Sequence, residues 1–151
     1  MAKVTFRKTT AEDVKIVEAS LRDADRKEAL AVGVSPEAMV RICAELSDTA
    51  ITGVINGEVA MVLGVRERVY DGSAEIWALS TAVCFSAPLA MVKVGRKVVQ
   101  SFLKEYNMLE NHCHAEYKSS LRWLKLMGFN IGEPEPYRDK GAMFCHVWIE
   151  R

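Results

Sequence analysis

The segment from Lys118 to Phe129, KSSLRWLKLMGF, constrains the fold more than any other stretch. Leu121, Leu124 and Met127 recur at helical spacing, with Trp123 and Leu126 widening the same side. Lys118, Arg122 and Lys125 fall on the opposite side. Gly128 follows where a helix end takes a residue of positive φ, a conformation glycine adopts without a Cβ clash. Phe129 then returns the chain to an apolar interior. The segment predicts a short helix with a glycine stop, entered from a strand that ends near Glu116.

The rest of the chain must supply a core for that helix. The 151 residues suffice for one domain, taken as 1–151, and half of them are hydrophobic. Lys+Arg and Asp+Glu both number 20, so no net field attracts nucleic acid or an anionic membrane. No apolar run approaches the roughly 18 residues of a membrane helix, and Met-Ala-Lys-Val-Thr-Phe-Arg at the N-terminus lacks a signal-peptide core. Cys43, Cys84, Cys113 and Cys145 form no Cys-x-x-Cys pair. They read as reduced, mostly buried thiols of a cytoplasmic protein.

In chain order, Lys3 to Lys8 alternates as a strand. Thr10 with Asp13 predicts a helix N-cap, and Val14, Val17, Leu21 and Ala24 make one helical face. That pattern continues or restarts through Glu28 to Ala31 and ends at Gly33. Ser35-Pro36 opens a further helix with Met39, Ile42, Cys43 and Leu46 on its apolar face. A strand from Ala50 to Ile55, the Asn56-Gly57 turn, a strand from Glu58 to about Tyr70, the Asp71-Gly72 turn and a strand from Ser73 to about Val83 form an antiparallel meander. Ser86-Ala87-Pro88 opens the longest helix, and Leu109 to Glu116 is a strand. Pro134 and Pro136 mark an extended loop, Asp139-Lys140-Gly141 a turn, and Ala142 to Ile149 the closing strand.

This order of elements, with the Gly128-Phe129 ending and the double hairpin, resembles the GNAT (Gcn5-related N-acetyltransferase) superfamily over nearly the whole chain. The resemblance implies an α/β (α+β) fold, a mixed and mostly antiparallel sheet flanked by helices. It also implies acetyl-CoA as the cofactor of an active member, bound where the last meander strand and the strand ending near Glu116 splay apart. The cofactor-binding positions implied are Leu79, Val83, Cys84, Phe85, Ser86 and Ala87, with Lys93, Arg96 and Lys118 reaching the phosphates. The family's pyrophosphate loop, (Gln/Arg)-x-x-Gly-x-(Gly/Ala), corresponds to Ala82 to Met91, which holds no glycine or arginine. Its thiolate-protonating tyrosine corresponds to Leu124, which donates no proton. A glycine-free loop predicts weak acetyl-CoA binding. Candidates for acid–base chemistry are Glu75, Glu116 and Tyr117.

Within the superfamily the chain resembles tailed-phage GNAT-like proteins of the internal virion protein A type. The features are Asp25-x-x-Glu28 followed by Gly33, Trp77 late in the meander, the glycine-poor loop, a basic amphipathic helix and Arg122-x-Leu124-Lys125-x-x-Gly128. That resemblance implies a degenerate acetyl-CoA site, a role in virion assembly or infection, a viral or host protein partner, and a location in host cytoplasm or virion. An acyl-CoA-dependent N-acetyltransferase with an atypical pyrophosphate loop is the alternative.

Four further groupings carry more than one reading. His112 and His114 share one face of a strand, and His146 or Glu116 would have to complete a metal site, so no metal is expected. Asp25 and Glu28 lie one helical turn apart. They read either as a paired-carboxylate site or, preferred here, as a surface pair beside Arg22, Arg26 and Lys27. The Lys118, Arg122, Lys125 stripe lacks interleaved aromatics and reads as a solvated face rather than a nucleic-acid site. Met61, Met91, Met127 and Met143 read as core filler.

Overall fold

A computed structural model of the chain describes residues 2–69, 71–137 and 141–151. Its elements are β1 (Val4–Lys8), α1 (Ala11–Ala19), α2 (Asp23–Ala31), α3 (Pro36–Leu46), β2 (Thr49–Ile55), β3 (Glu58–Glu67), β4 (Ser73–Ser80), α4 (Pro88–Phe102), β5 (Met108–His114), α5 (Lys118–Leu126), β6 (Asn130–Ile131), β7 (Glu135–Pro136) and β8 (Met143–Glu150). A 3-10 turn, Ala82–Ser86, separates β4 from α4. The strand order is β1-β2-β3-β4-β5-β8-β6, with β7 also on β8. Among the described residues every pairing is antiparallel except β4 with β5. This is the expected mixed, mostly antiparallel sheet.

Alternation along the strands sends apolar side chains to both faces. On one face Met61, Leu63 and Val65 of β3 and Leu109 and Cys113 of β5 join Met91, Val99 and Phe102 of α4. Met127 and Phe129, at the end of α5, complete that layer. On the other, Val62 and Leu79 pack under Val17 of α1 and Val40 of α3. Helices α4 and α5 therefore cover one face, and α1 to α3 cover β2 to β4 on the other.

Local signals placed several of these elements. Thr10 and Asp13 form a reciprocal capping box at the start of α1. Asn56 and Gly57, at φ 48 and 84, turn the chain between β2 and β3. Gly128 (φ 102) ends α5 in a Schellman arrangement. The Phe129 N–H bonds the Leu124 carbonyl and the Gly128 N–H bonds the Lys125 carbonyl, both at 3.0 Å.

Other expectations needed revision. The first helical region is two helices, because the chain breaks at Arg22 (φ −57, ψ 142), whose N–H bonds the Ser80 carbonyl at 2.7 Å. β4 stops at Ser80 rather than Val83, since Thr81 Oγ1 accepts the Val83 N–H and starts the 3-10 turn. Leu126 and Met143 are exposed, at 48% and 41%, rather than core. Ser35 precedes α3 but its hydroxyl bonds Glu37 instead of capping the backbone. Two residues of the expected Asp139-Lys140-Gly141 turn lie outside the described residues.

Candidate active site

Strands β4 and β5 run side by side only where Ser73 to Glu75 face Met108 to Glu110. Beyond that point they part. At the vertex, Asn111 Nδ2 donates to the Ile76 carbonyl, so a side chain takes over where the ladder stops. A cavity of about 360 Å³ occupies the opening. Ile76, Ala78 and Ser80 line it from β4, Asn111, His112 and Cys113 from β5, and Ser120, Trp123 and Leu124 from α5. Ile76, Trp77 and Ala78 are half-buried in the stretch of β4 where the strands part.

The break at Arg22 aims α2 at the same opening. Asp25 Oδ2 accepts the Ser80 N–H at 2.9 Å, and Glu28 Oε1 accepts the His114 N–H at 3.3 Å. One turn of helix thus ties α2 to the ends of both parted strands. Arg22 Nη2 bonds Asp25 Oδ1 at 2.9 Å and Ser120 Oγ at 3.1 Å, while Arg22 Nε is buried without a partner. All three side chains line the cavity, and Asp25 is 4% exposed. The expected surface pair is therefore a buried carboxylate pair.

Burial sets the chemistry of that pair. It disfavours charge on Glu28, the neighbouring Asp25 adds repulsion, and the His114 N–H and Arg22 offset this only in part, leaving Glu28 at about 7. Asp25 is also raised by burial, against the opposing pull of Arg22 and the Ser80 N–H. A carboxyl poised near neutrality at a cavity wall is suited to accept a proton.

The other sequence candidates are distributed as follows. Glu75 is exposed, 3.6 Å from Arg68, and Glu116 is exposed after β5. Tyr117 precedes α5 and stacks on His114 at 4.5 Å. None of these three lines the cavity. Of the cofactor-binding positions, Cys84 and Phe85 do. Leu79 turns to the opposite face of the sheet, Ala87 is in the core, and Val83 and Ser86 lie in the 3-10 turn. Lys93 and Lys118 are exposed, and Arg96 Nε bonds the Leu126 carbonyl at 2.8 Å. His112 stacks on Tyr137 at 4.1 Å, and His146 bonds Glu110 at 3.1 Å. Arg22, Asp25 and Glu28 were visible as a charged cluster, but their burial depends on Ser80, His114 and Ser120, which are distant in sequence.

Helix α4 begins at Pro88 with no capping side chain, so its dipole and first-turn amides are available to an anion. The parted strands offer an edge to an extended amide-bearing arm. These features fit an acyl-CoA thioester. The 3-10 turn lacks the glycines that would let phosphate approach more backbone amides.

No protein-family model and no curated protein matches the chain. Solved structures do. A GNAT-family acetyltransferase from Bacillus anthracis is 15% identical, with 99% of this chain and 96% of that one covered at a TM-score of 0.72. A spermidine N-acetyltransferase chimera from Vibrio cholerae is 12% identical, covering 97% and 95% at 0.71. A Bacillus subtilis acetyltransferase in complex with CoA is 10% identical, covering 100% and 99% at 0.67. The chain therefore has the GNAT acyl-CoA N-acyltransferase fold. Among the described residues no helix is long and apolar enough to cross a membrane.

Proposed function

We propose that the chain is an acyl-CoA-dependent transferase of the N-acetyltransferase class, with an atypical pyrophosphate loop. The observation that carries this reading is Glu28, a carboxyl near pKa 7 held at the wall of the opening between β4 and β5. The structural likeness to acetyltransferases, one of them solved with CoA, supports it. An acyl-CoA supplies an activated acyl group: the acceptor nitrogen bonds the carbonyl carbon, the C–S bond breaks, and the thiolate leaves. Glu28 takes the proton that the attacking amine loses. The positive charge of Arg22, at the same cavity wall, stabilises the acyl oxygen as it gains charge. Leu124 lines the cleft and donates nothing, so the departing thiolate takes its proton from water, which suits a thiol of ordinary pKa near 8.5.

Calorimetric titration with CoA and acetyl-CoA, followed by thiol release in the presence of primary amines, tests this. The expectation is saturable binding and turnover, with Glu28→Gln retaining binding and losing roughly 100-fold in kcat. An unchanged kcat in that variant overturns the role of Glu28. Failure of CoA to bind at millimolar concentration overturns the function.

One observation favours a second reading. Phe85 and Leu89, 56% and 86% exposed, present apolar surface where the phosphate end of the site would lie. That surface suits a GNAT-like scaffold that docks a protein in place of CoA. Saturable CoA binding decides against it.

A further inference from the structure

The two carboxyls of α2 are held unequally. Among the described residues Asp25 accepts two bonds, from Arg22 Nη2 to Oδ1 and from the Ser80 N–H to Oδ2, both at 2.9 Å. Glu28 accepts one, from the His114 N–H to Oε1 at 3.3 Å, which leaves Oε2 for a proton. Arg22 is itself fixed. Its Nη2 also reaches Ser120 Oγ of α5 at 3.1 Å, and its backbone N–H bonds the Ser80 carbonyl at 2.7 Å. The guanidinium therefore pairs with Asp25, between β4 and α5, and not with Glu28.

We propose that Asp25 is a positioning residue for the proton transfer at Glu28. It stays ionised on the donors of Arg22 and Ser80, and its charge, one helical turn away, keeps the exchangeable proton of the pair on Glu28. Two neighbouring carboxyls do not both ionise at low cost in a buried site, so the one with more donors keeps the charge and the other takes the proton. Burial raises both groups, and at Asp25 the Arg22 guanidinium and the Ser80 N–H oppose it. Cys113 of β5 and Tyr117, before α5, also face Glu28. Burial raises both of them, so both are uncharged at neutral pH. Among the described residues Asp25 and Arg22 are then the charges that act on Glu28.

The use of this pair in catalysis rests on the acyltransferase reading above; the division of charge does not. As the acceptor nitrogen bonds the acyl carbon, an N–H bond breaks and an O–H bond forms on Glu28. That protonation removes the repulsion from Asp25, so the neighbouring charge favours proton uptake. Arg22 has its own partners in Asp25 and Ser120, and the cluster changes charge at Glu28 alone.

Carbon-13 carboxyl NMR of the full chain, titrated from about pH 4 to 9, tests the proposal. Asp25 is expected to be ionised before Glu28 titrates, by at least about one pH unit. In Asp25→Asn the Glu28 transition is expected to fall by about one pH unit. The acid limb of the pH profile for thiol release falls with it, while the KM for acyl-CoA changes less than about twofold. Ser120→Ala cuts the tie to α5 and keeps the charge of Asp25, so it is expected to shift Glu28 by less than a third as much. Asp25 titrating with or after Glu28, a Glu28 transition unmoved in Asp25→Asn, or an equal shift in Ser120→Ala overturns the proposal and leaves the acyltransferase reading standing. The order of ionisation in the wild type decides even if Asp25→Asn does not fold. Failure of CoA to bind overturns the acyltransferase reading, and with it the catalytic use of the pair.

Discussion

Glu28 on α2 and His114 at the end of β5 meet across a 3.3 Å hydrogen bond, carboxylate oxygen to backbone N–H, though 86 residues separate them. Three residues earlier, Asp25 makes the equivalent bond to Ser80 at the end of β4. The two strand ends that a continuous sheet would have paired with each other are instead held by one turn of helix. This arrangement buries a carboxylate pair beside the Arg22 guanidinium, and burial of charge without full compensation carries a free-energy penalty.

That penalty gives a pH signature. Glu28 rises from 4.5 to about 7 on folding, chiefly through burial. The folded chain holds this proton more tightly than the unfolded chain, so stability falls as pH rises from about 4.5 to 7 and stays at the lower value above. Glu28→Gln keeps an acceptor for the His114 N–H and removes the charge. The variant is expected to be more stable than wild type by on the order of 2 kcal/mol at pH 8, and nearly equal to it at pH 4. Urea unfolding at the two pH values measures the difference; an equal offset at both would show that the side chain does not titrate in this range.

Asp13 shows the opposite sign. It is 2% exposed and accepts both terminal nitrogens of Arg7, the Thr10 N–H and the Thr52 hydroxyl. The Arg7 bonds, above all, hold its carboxyl well below the ordinary range. Its stabilisation is fully present above the unfolded pKa of about 3.9 and is lost as pH falls below that value. Asp13→Asn is expected to destabilise by roughly 2 kcal/mol at pH 7, with the gap to wild type narrowing below pH 4. A constant gap down to pH 2 would assign the loss to packing.

The cysteines predict slow thiol chemistry. Cys113 and Cys145 are buried and face each other in the β5–β8 register, and Cys43 and Cys84 are half-buried. Burial pushes Cys113 up to about 12 and Cys43 to about 11, and raises the other two. Since the thiolate is the reactive form, an Ellman-type reagent at pH 8 should label the native chain slowly and all four thiols rapidly in denaturant. Rapid labelling of one native thiol would identify a site with a stabilised thiolate.

Local chemistry made much of this fold legible in the sequence. Asn56-Gly57, Thr10 with Asp13, Pro88 and Gly128 each act within a few residues, so their signals survive without knowledge of the tertiary structure. Arg22 carries no such signal. It is an ordinary helix former, and the chain breaks there because its N–H is drawn to the Ser80 carbonyl. The site inherits that blindness. Asp25 and Glu28 looked like a solvated pair because their spacing and charged neighbours match one. Only the arrival of Ser80 and His114 buries them. Glu75 and Glu116 were candidate bases as carboxylates of the central strands, but sequence does not record where a parallel pair stops pairing, and the opening begins beyond Glu75.

Gly128 joins the legible part of the chain to its stability. At φ 102 it lets the Leu124 and Lys125 carbonyls find donors at the end of α5 and directs Phe129, 5% exposed, into the core. A Cβ at this position would stand 3.3 Å from Ile149 Cδ1, a contact the tip of an isoleucine can relieve by a small shift. The backbone penalty has no such relief, because an L-residue at positive φ brings its Cβ against the following carbonyl. Gly128→Ala is therefore expected to destabilise by about 1 kcal/mol, partly countered by the lower entropy of the unfolded chain. Gly128→Asn, which tolerates this region better, should lose less despite its larger side chain if the backbone governs the cost. Denaturant midpoints of the two variants distinguish the causes: a greater loss for Asn than for Ala would make the contact with Ile149, rather than the turn, the controlling interaction.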